Sequence, residues 1–201
     1  MVIGVFGLPR SGKTTFLAKV SKQALAGKKQ LSVGGGAWKV AIGDFAPYAH
    51  VYSNFPLQGC ERIEFKDLGK YDTTRSLILI DEISLFCDAR DYKNFDKTIK
   101  EWFALHGHYR TDVIYCSQGY EDTDKRIRNL TEIMLYIERY GAFTRIRPIK
   151  KAWSIDGSIT EGFTLAPPLS SSWVWRRRYY DRFDSFSAPV LPPMPSALWK
   201  V

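Results

Sequence analysis

Residues Gly7-Leu8-Pro9-Arg10-Ser11-Gly12-Lys13-Thr14 complete the spacing G-x-x-x-x-G-K-[ST], with Thr15 following. Such a loop binds phosphate. Gly7 and Gly12 allow positive φ and close backbone approach, so successive amides turn toward an anion at the start of the next helix. Lys13 would reach the β- and γ-phosphates, and the Thr14 hydroxyl would ligate magnesium. A nucleotide, ATP, with Mg2+ is the expected ligand pair, although no base-reading motif separates ATP from GTP.

A second group carries charge. Asp81 and Glu82 end the apolar run Ser76-Leu-Ile-Leu-Ile80, which places two acids at the carboxyl edge of a strand, where open α/β sheets bind ligands. Asp81 reads as the magnesium partner and Glu82 as the base or orienter of an attacking water. That division favours hydrolysis over transfer to a bound acceptor. Gln118, just after a second buried-type strand, has the hydrogen-bonding chemistry to sense a γ-phosphate or its water. Arg126 and Arg128 follow on a polar helix; either could complete a neighbouring subunit's pocket, or be a solvated helix charge. His106 and His108 flank Gly107 without a metal-ligand set around them, so packing or hydrogen bonding is expected of them and no zinc.

The elements needed to hold these groups follow from pattern. Val2 to Phe6 reads as a strand and Thr15 onward as a helix, with the glycine-rich Leu31 to Trp38 as an excursion. Val51 to Leu57 runs from strand into turn, and 76–80 and 112–117 are continuous apolar runs of parallel-sheet type. Asn94 to Leu105 and Asp122 to Leu130 carry helical pattern, and Glu132 to Ile137 reads as a strand. Strands alternating with helices predict a three-layer α/β P-loop NTPase with a mostly parallel central sheet. From about Ala142 the character changes to short extended segments, Pro167-Pro168, a basic aromatic block and a proline-rich end. The expected division is therefore an NTPase domain over 1–141 and, over 142–201, an extension outside the packed core.

The 201 residues, 45% of them hydrophobic, can build a real core, and the formal charge of +8 favours an anionic partner such as nucleic acid or an acidic membrane surface. Three scattered cysteines, Cys60, Cys87 and Cys116, suit reduced thiols in a reducing cytosol. No secretory leader is visible, and no run reaches the roughly 18 apolar residues of a membrane span.

The two nucleotide motifs, with Val51-Tyr-Ser-Asn-Phe-Pro-Leu57, the run His106-Gly-His-Tyr-Arg-Thr-Asp-Val-Ile-Tyr-Cys-Ser-Gln118 and Asp124-Lys-Arg-Ile-Arg128, resemble the zonular occludens toxin family over about residues 1 to 140. That family includes the assembly ATPases of filamentous phages. The resemblance implies an additional-strand P-loop motor of RecA-like type, driving phage DNA extrusion and virion assembly at the host inner membrane. It implies Lys13 and Thr14 as phosphate and magnesium contacts, Asp81 and Glu82 as the acid pair, Gln118 as sensor and Arg128 as a motif arginine. The implied partners are other copies in a homo-oligomeric ring, phage DNA in single-stranded form and an inner-membrane export protein.

Export members of the family usually continue into a membrane span, which this chain lacks. A cytoplasmic protein peripheral to the inner membrane is expected, attached through a partner or a continuation. Trp173, Trp175, Arg176, Arg177 and Arg178 could meet acidic headgroups or DNA, or form a subunit-docking or solvated segment. Two other functions fit the residues. One is a small P-loop kinase using Glu82 on an acceptor hydroxyl; the other is a nucleotide-dependent host-interaction or scaffold protein acting through its basic tail.

Overall fold

The computed structural model describes residues 1–87, 96–154 and 160–184. β1 (Val2–Phe6) leads through the glycine loop into α1 (Lys13–Leu25), and β2 (Ser32–Val33) and β3 (Val40–Ala41) form a small separate ribbon. Then come β4 (His50–Ser53), β5 (Glu61–Arg62), β6 (Ser76–Ile80), α2 (Lys97–Leu105), β7 (Asp112–Ser117) and α3 (Lys125–Leu130). β8 (Ile133–Tyr140), β9 (Phe143–Ser154), β10 (Thr160–Leu165) and β11 (Ser172–Trp175) follow, and a 3-10 stretch spans Arg176–Arg182. The expected start of a helix at Asn94 and the proline-rich end lie outside the described residues.

The strands order as β10-β9-β8-β1-β7-β6-β4-β5, with β11 also on β9. From β8 to β5 every pairing is parallel, and β8, β9, β10 and β11 pair antiparallel. β7 lies between β1, which feeds the glycine loop, and β6, which ends at Asp81. This inserted strand marks the additional-strand type of P-loop NTPase fold. The carboxyl ends of β1, β7 and β6, and with them the glycine loop, Gln118 and Asp81, consequently share one edge of the sheet.

Helices cover both faces because the central strands are apolar on both. Phe16, Leu17 and Val20 of α1 pack on Ile3, Val5, Leu77, Leu79 and Ile114. On the opposite face, Ile99, Trp102 and Phe103 of α2 and Ile127 of α3 pack on Val2, Ile78, Ile80, Val113 and Tyr115. Burying each such Leu, Ile or Phe side chain contributes about 1.5–3 kcal/mol. The helix starts differ. Asp96 and Asp124 cap α2 and α3 by accepting from the Thr98 and Arg126 amides, each at 2.8 Å, whereas no side chain caps α1.

The chain beyond Ala142 does not stay outside the core, which corrects the sequence expectation. β9 runs the length of β8, and Ile146 and Val174 join the hydrophobic cluster beneath α1. Pro148, which lacks a ladder donor, sits between the β11 register ending at Ile146 and the β10 register starting at Ile149.

At the amino edge of the sheet the Met1 ammonium donates to Asp112 Oδ1 at 2.9 Å, and Asp112 Oδ2 accepts from the Phe45 amide at 3.0 Å and Tyr48 Oη at 2.6 Å. Burial, with the Asp112 charge beside it, pushes the Tyr48 phenol far above its ordinary range.

Candidate functional site

The residues from 7 to 12 form a turn because two of them leave the ordinary backbone region. Gly12 has φ 106°, and a Cβ there would run into Thr144; Arg10 has φ 61°. At Gly7 a side chain would meet the Ile137 carbonyl, so only glycine lets the loop sit this close to β8. The Thr144 hydroxyl of β9 donates to the Ser11 carbonyl at 3.2 Å, which makes the added strand a prop for the loop. Leu8 points away and is exposed, while the buried Ser11 Oγ has no hydrogen-bond partner.

Lys13 is buried, and its ammonium spans the turn, donating to Gly7 O at 2.7 Å and Leu8 O at 3.3 Å. That position centres its charge within the cup of the loop. The absence of a side-chain cap on α1 leaves the helix start, with its partial positive charge, facing the same space.

Thr14 Oγ1 donates to Asp81 Oδ2 at 2.7 Å, across 67 residues of sequence. Asp81 is fixed from two directions: its amide donates to Asn54 Oδ1 at 2.8 Å, and Asn54 Nδ2 returns a bond to its carbonyl at 3.0 Å. Burial raises the Asp81 carboxyl above its ordinary value and neighbouring Glu82 adds to this, against the Thr14 hydrogen bond and the Lys13 charge. A carboxylate so placed gains from a cation. The Thr14 hydroxyl and Asp81 oxygens supply the hard donors magnesium takes, so the residues fit that ion with phosphate and water completing its shell. Among the described residues no three or more His, Cys, Asp or Glu side chains gather as a metal set.

Glu82 follows at φ 52°, ψ 61°, a left-handed conformation unusual for a residue with a side chain. Such strain costs of order 1–3 kcal/mol and concentrates at functional sites. Its amide donates to Asp81 Oδ1 at 3.1 Å, and Ser84 Oγ donates to its carboxylate at 3.4 Å.

A cleft of about 980 Å³ brings together Pro9, Arg10, Gly12, Lys13, Thr14, Thr15, Asp81, Glu82 and Gln118. Gln118 is exposed there at the exit of β7. Arg126 and Arg128 do not line it. Arg126 is solvent-exposed, and Arg128 donates to Glu121 at 2.6 Å while stacking over Tyr120, 4.7 Å from the ring centre.

The basic aromatic block divides. Trp173 and Trp175 are exposed on β11, the former edge-on to Tyr140 at 5.7 Å, and Arg177 and Arg178 face solvent. Arg176 instead lines the cleft, together with Tyr180 and Phe183. His106 Nδ1 lies 2.7 Å from the Phe103 carbonyl, a packing role, and Cys60, Cys87 and Cys116 are free thiols whose pKa values burial raises.

Sequence reasoning gave no role to Asn54, Arg139 or Thr144, and it set Arg176 among residues meeting headgroups or DNA, whereas the structure turns it to the cleft. For Asn54 a signal existed: a carboxamide right after an apolar run, at the same strand edge as Asp81. Arg139, which also lines the cleft, stands at the carboxyl end of β8 and could have been found by reading that strand two residues further. Nothing local marks Thr144 or Arg176, whose positions depend on pairings with distant chain.

The sequence model described as Zonular occludens toxin (Zot) matches residues 51–166, more than half of the chain and inclusive of Asp81, Glu82 and Gln118. Among solved structures, the N-terminal domain of zonular occludens toxin from Neisseria meningitidis is 15% identical with a TM-score of 0.57, covering 91% of this chain and 98% of that one. B204, the DNA-packaging ATPase from Sulfolobus Turreted Icosahedral Virus, is 12% identical with a TM-score of 0.49, covering 83% and 97%. No curated protein matches the sequence.

Proposed function

The chain belongs to the zonular occludens toxin family, and from that premise we propose that it is a magnesium-dependent ATPase that drives the movement of phage DNA during virion assembly and extrusion. The observation that carries the reading is one cleft holding Lys13, Thr14, Asp81, Glu82 and Gln118 on a common strand edge.

Lys13 and the start of α1 hold the triphosphate, the ammonium exchanging the Gly7 and Leu8 carbonyls for phosphate oxygens. Thr14 and Asp81 are the residues that would hold Mg2+, which when bound neutralises charge on the phosphate oxygens. Glu82, next to Asp81 on the cleft wall, takes the proton of the attacking water, and Gln118 orients that water from the neighbouring strand. The protein groups are set before the nucleotide arrives: Asn54 pins Asp81, and Thr144 pins the loop. Little reorganisation is needed at the moment of reaction.

In a homo-oligomeric ring an arginine from the next copy would complete the charge around the γ-phosphate. Arg126 suits that task better than Arg128, because it is exposed while Arg128 is held by Glu121. Exposed Trp173, Trp175, Arg177 and Arg178 offer stacking faces and cations to single-stranded DNA, or to an inner-membrane surface carrying the export partner. No helix of the described residues is long and apolar enough to cross a membrane.

Phosphate release from Mg·ATP, measured with and without single- and double-stranded DNA, tests the motor. Stimulation by DNA supports it. Release that DNA leaves unchanged at every length and concentration argues for an ATPase without a DNA track.

A further inference from the structure

We propose that residues 176–184 form a strap that reads the nucleotide from within the same chain, Arg176 contacting the phosphates and Tyr180 stacking on the base. The proposal rests on the nucleotide-site reading above and adds to it the groups that complete that site.

The strap is tied at both ends. Its Arg176 amide donates to Ala142 O at 3.0 Å, in the turn between β8 and β9. At the far end the Gln58 amide donates to Arg182 O at 2.9 Å, Arg182 Nη2 donates to Gln58 O at 2.7 Å, and Leu57 bridges to Phe183. Ala142 follows β8 and Leu57 follows β4, strands on opposite sides of β1, β7 and β6. The segment therefore crosses the carboxyl edge from which the phosphate loop, Asp81 and Gln118 emerge. Tyr179 and Phe183 pack against the cluster beneath α1, which holds the crossing down.

Three features of the strap point at a ligand. Arg176, Tyr180 and Phe183 line the cleft that also exposes Lys13 and Thr14. Arg176 Nε is buried without a hydrogen-bond partner, although a buried donor left unpaired is unfavourable. Phosphate oxygens are the acceptors a guanidinium fork matches best. The Arg176 guanidinium carbon lies 5.8 Å from the centre of the Tyr180 ring, which sets the cation and the aromatic face side by side at the cleft. Tyr180 is 48% exposed, leaving ring surface for a purine or pyrimidine. Stacking of this kind tolerates any base, which agrees with a phosphate loop that has no base-reading motif beside it.

Calorimetric binding of Mg·ATP and of Mg·tripolyphosphate to the full chain separates the two contacts. Arg176→Ala should weaken both ligands about tenfold, as expected for a lost hydrogen bond to a charged group, with partial recovery in Arg176→Lys. Tyr180→Ala should weaken Mg·ATP about tenfold and leave Mg·tripolyphosphate unchanged. Melting temperatures without ligand should match wild type in all three. Binding of both ligands at wild-type strength by Arg176→Ala and Tyr180→Ala overturns the strap's role. Equal losses of both ligands in Tyr180→Ala, or losses accompanied by a lower melting temperature, reduce the strap to a structural brace and also overturn it. Failure of the wild type to bind either ligand, or binding undiminished in Lys13→Ala, strikes instead at the nucleotide site itself.

Discussion

The two edges of the central sheet use polar groups in opposite ways. At the amino edge, Met1, Phe45 and Tyr48 converge on Asp112, and the Val2 amide donates to Glu132 at 3.1 Å. Polar groups there have partners inside the protein. At the carboxyl edge, Ser11 Oγ and Arg176 Nε are buried without partners and α1 begins without a cap. One edge has closed its electrostatics, and the other keeps donors and acids turned toward a cleft.

Substitutions at the two edges should fail in different ways. The largest effect is expected at Lys13→Ala, which should abolish Mg·ATP binding by calorimetry while the melting temperature of the free protein stays near wild type; retained binding would end the distinction between the edges. Glu82→Gln should bind Mg·ATP normally yet slow its hydrolysis by about 10²–10⁴-fold, the span of a lost general base. Turnover at the wild-type rate in single-turnover assays would remove Glu82 from the chemistry.

Asp112→Ala should act on the fold alone. It takes the nearest acceptor from a buried ammonium and the acceptor from a half-buried phenol, which costs about 3–5 kcal/mol, read as a fall in the urea midpoint. Nucleotide affinity of the remaining folded protein should be unchanged.

The smallest effect concerns pH. Burial holds the His106 imidazole below its ordinary pKa, helped by the Met1 ammonium and opposed by the Phe103 carbonyl, Glu132 and Asp112. The unfolded chain then takes up this proton first, from about pH 6.5 downward. The neutral ring's contribution to stability is present above that pH and is lost as pH falls toward the folded value. His106→Gln should flatten this part of the stability profile between pH 7.5 and 5.5; an unchanged slope would assign it elsewhere.

What the sequence revealed, and what it hid, follows the same divide between local and distant contacts. The runs 76–80 and 112–117 are strands over those bounds because a continuous apolar run stopped by a charge or carboxamide leaves little freedom in placing its ends. The helix expected from Asp122 begins at Lys125, since Asp124 caps it through the Arg126 amide and stands outside it. The meeting of the acid pair and the phosphate loop at one sheet edge was legible because each directly follows an apolar run. Thr144 was not, being 133 residues from the Ser11 carbonyl it supports. Arg176 lies in a run of three arginines that looks uniformly solvated, and only the ties at Ala142 and Gln58 turn one of them inward. Residues after Ala142 read as an appendage because β9 and β11 gain their hydrophobic partners from strands and a helix far upstream.

At the carboxyl edge we propose a hydrolytic nucleotide site. Steady-state phosphate release from Mg·ATP by the purified wild type, beside Lys13→Ala as blank, tests it most directly. Release from the wild type and none above background from the variant is expected. Equal release from both, or no release by a wild type that binds Mg·ATP tightly, would contradict it.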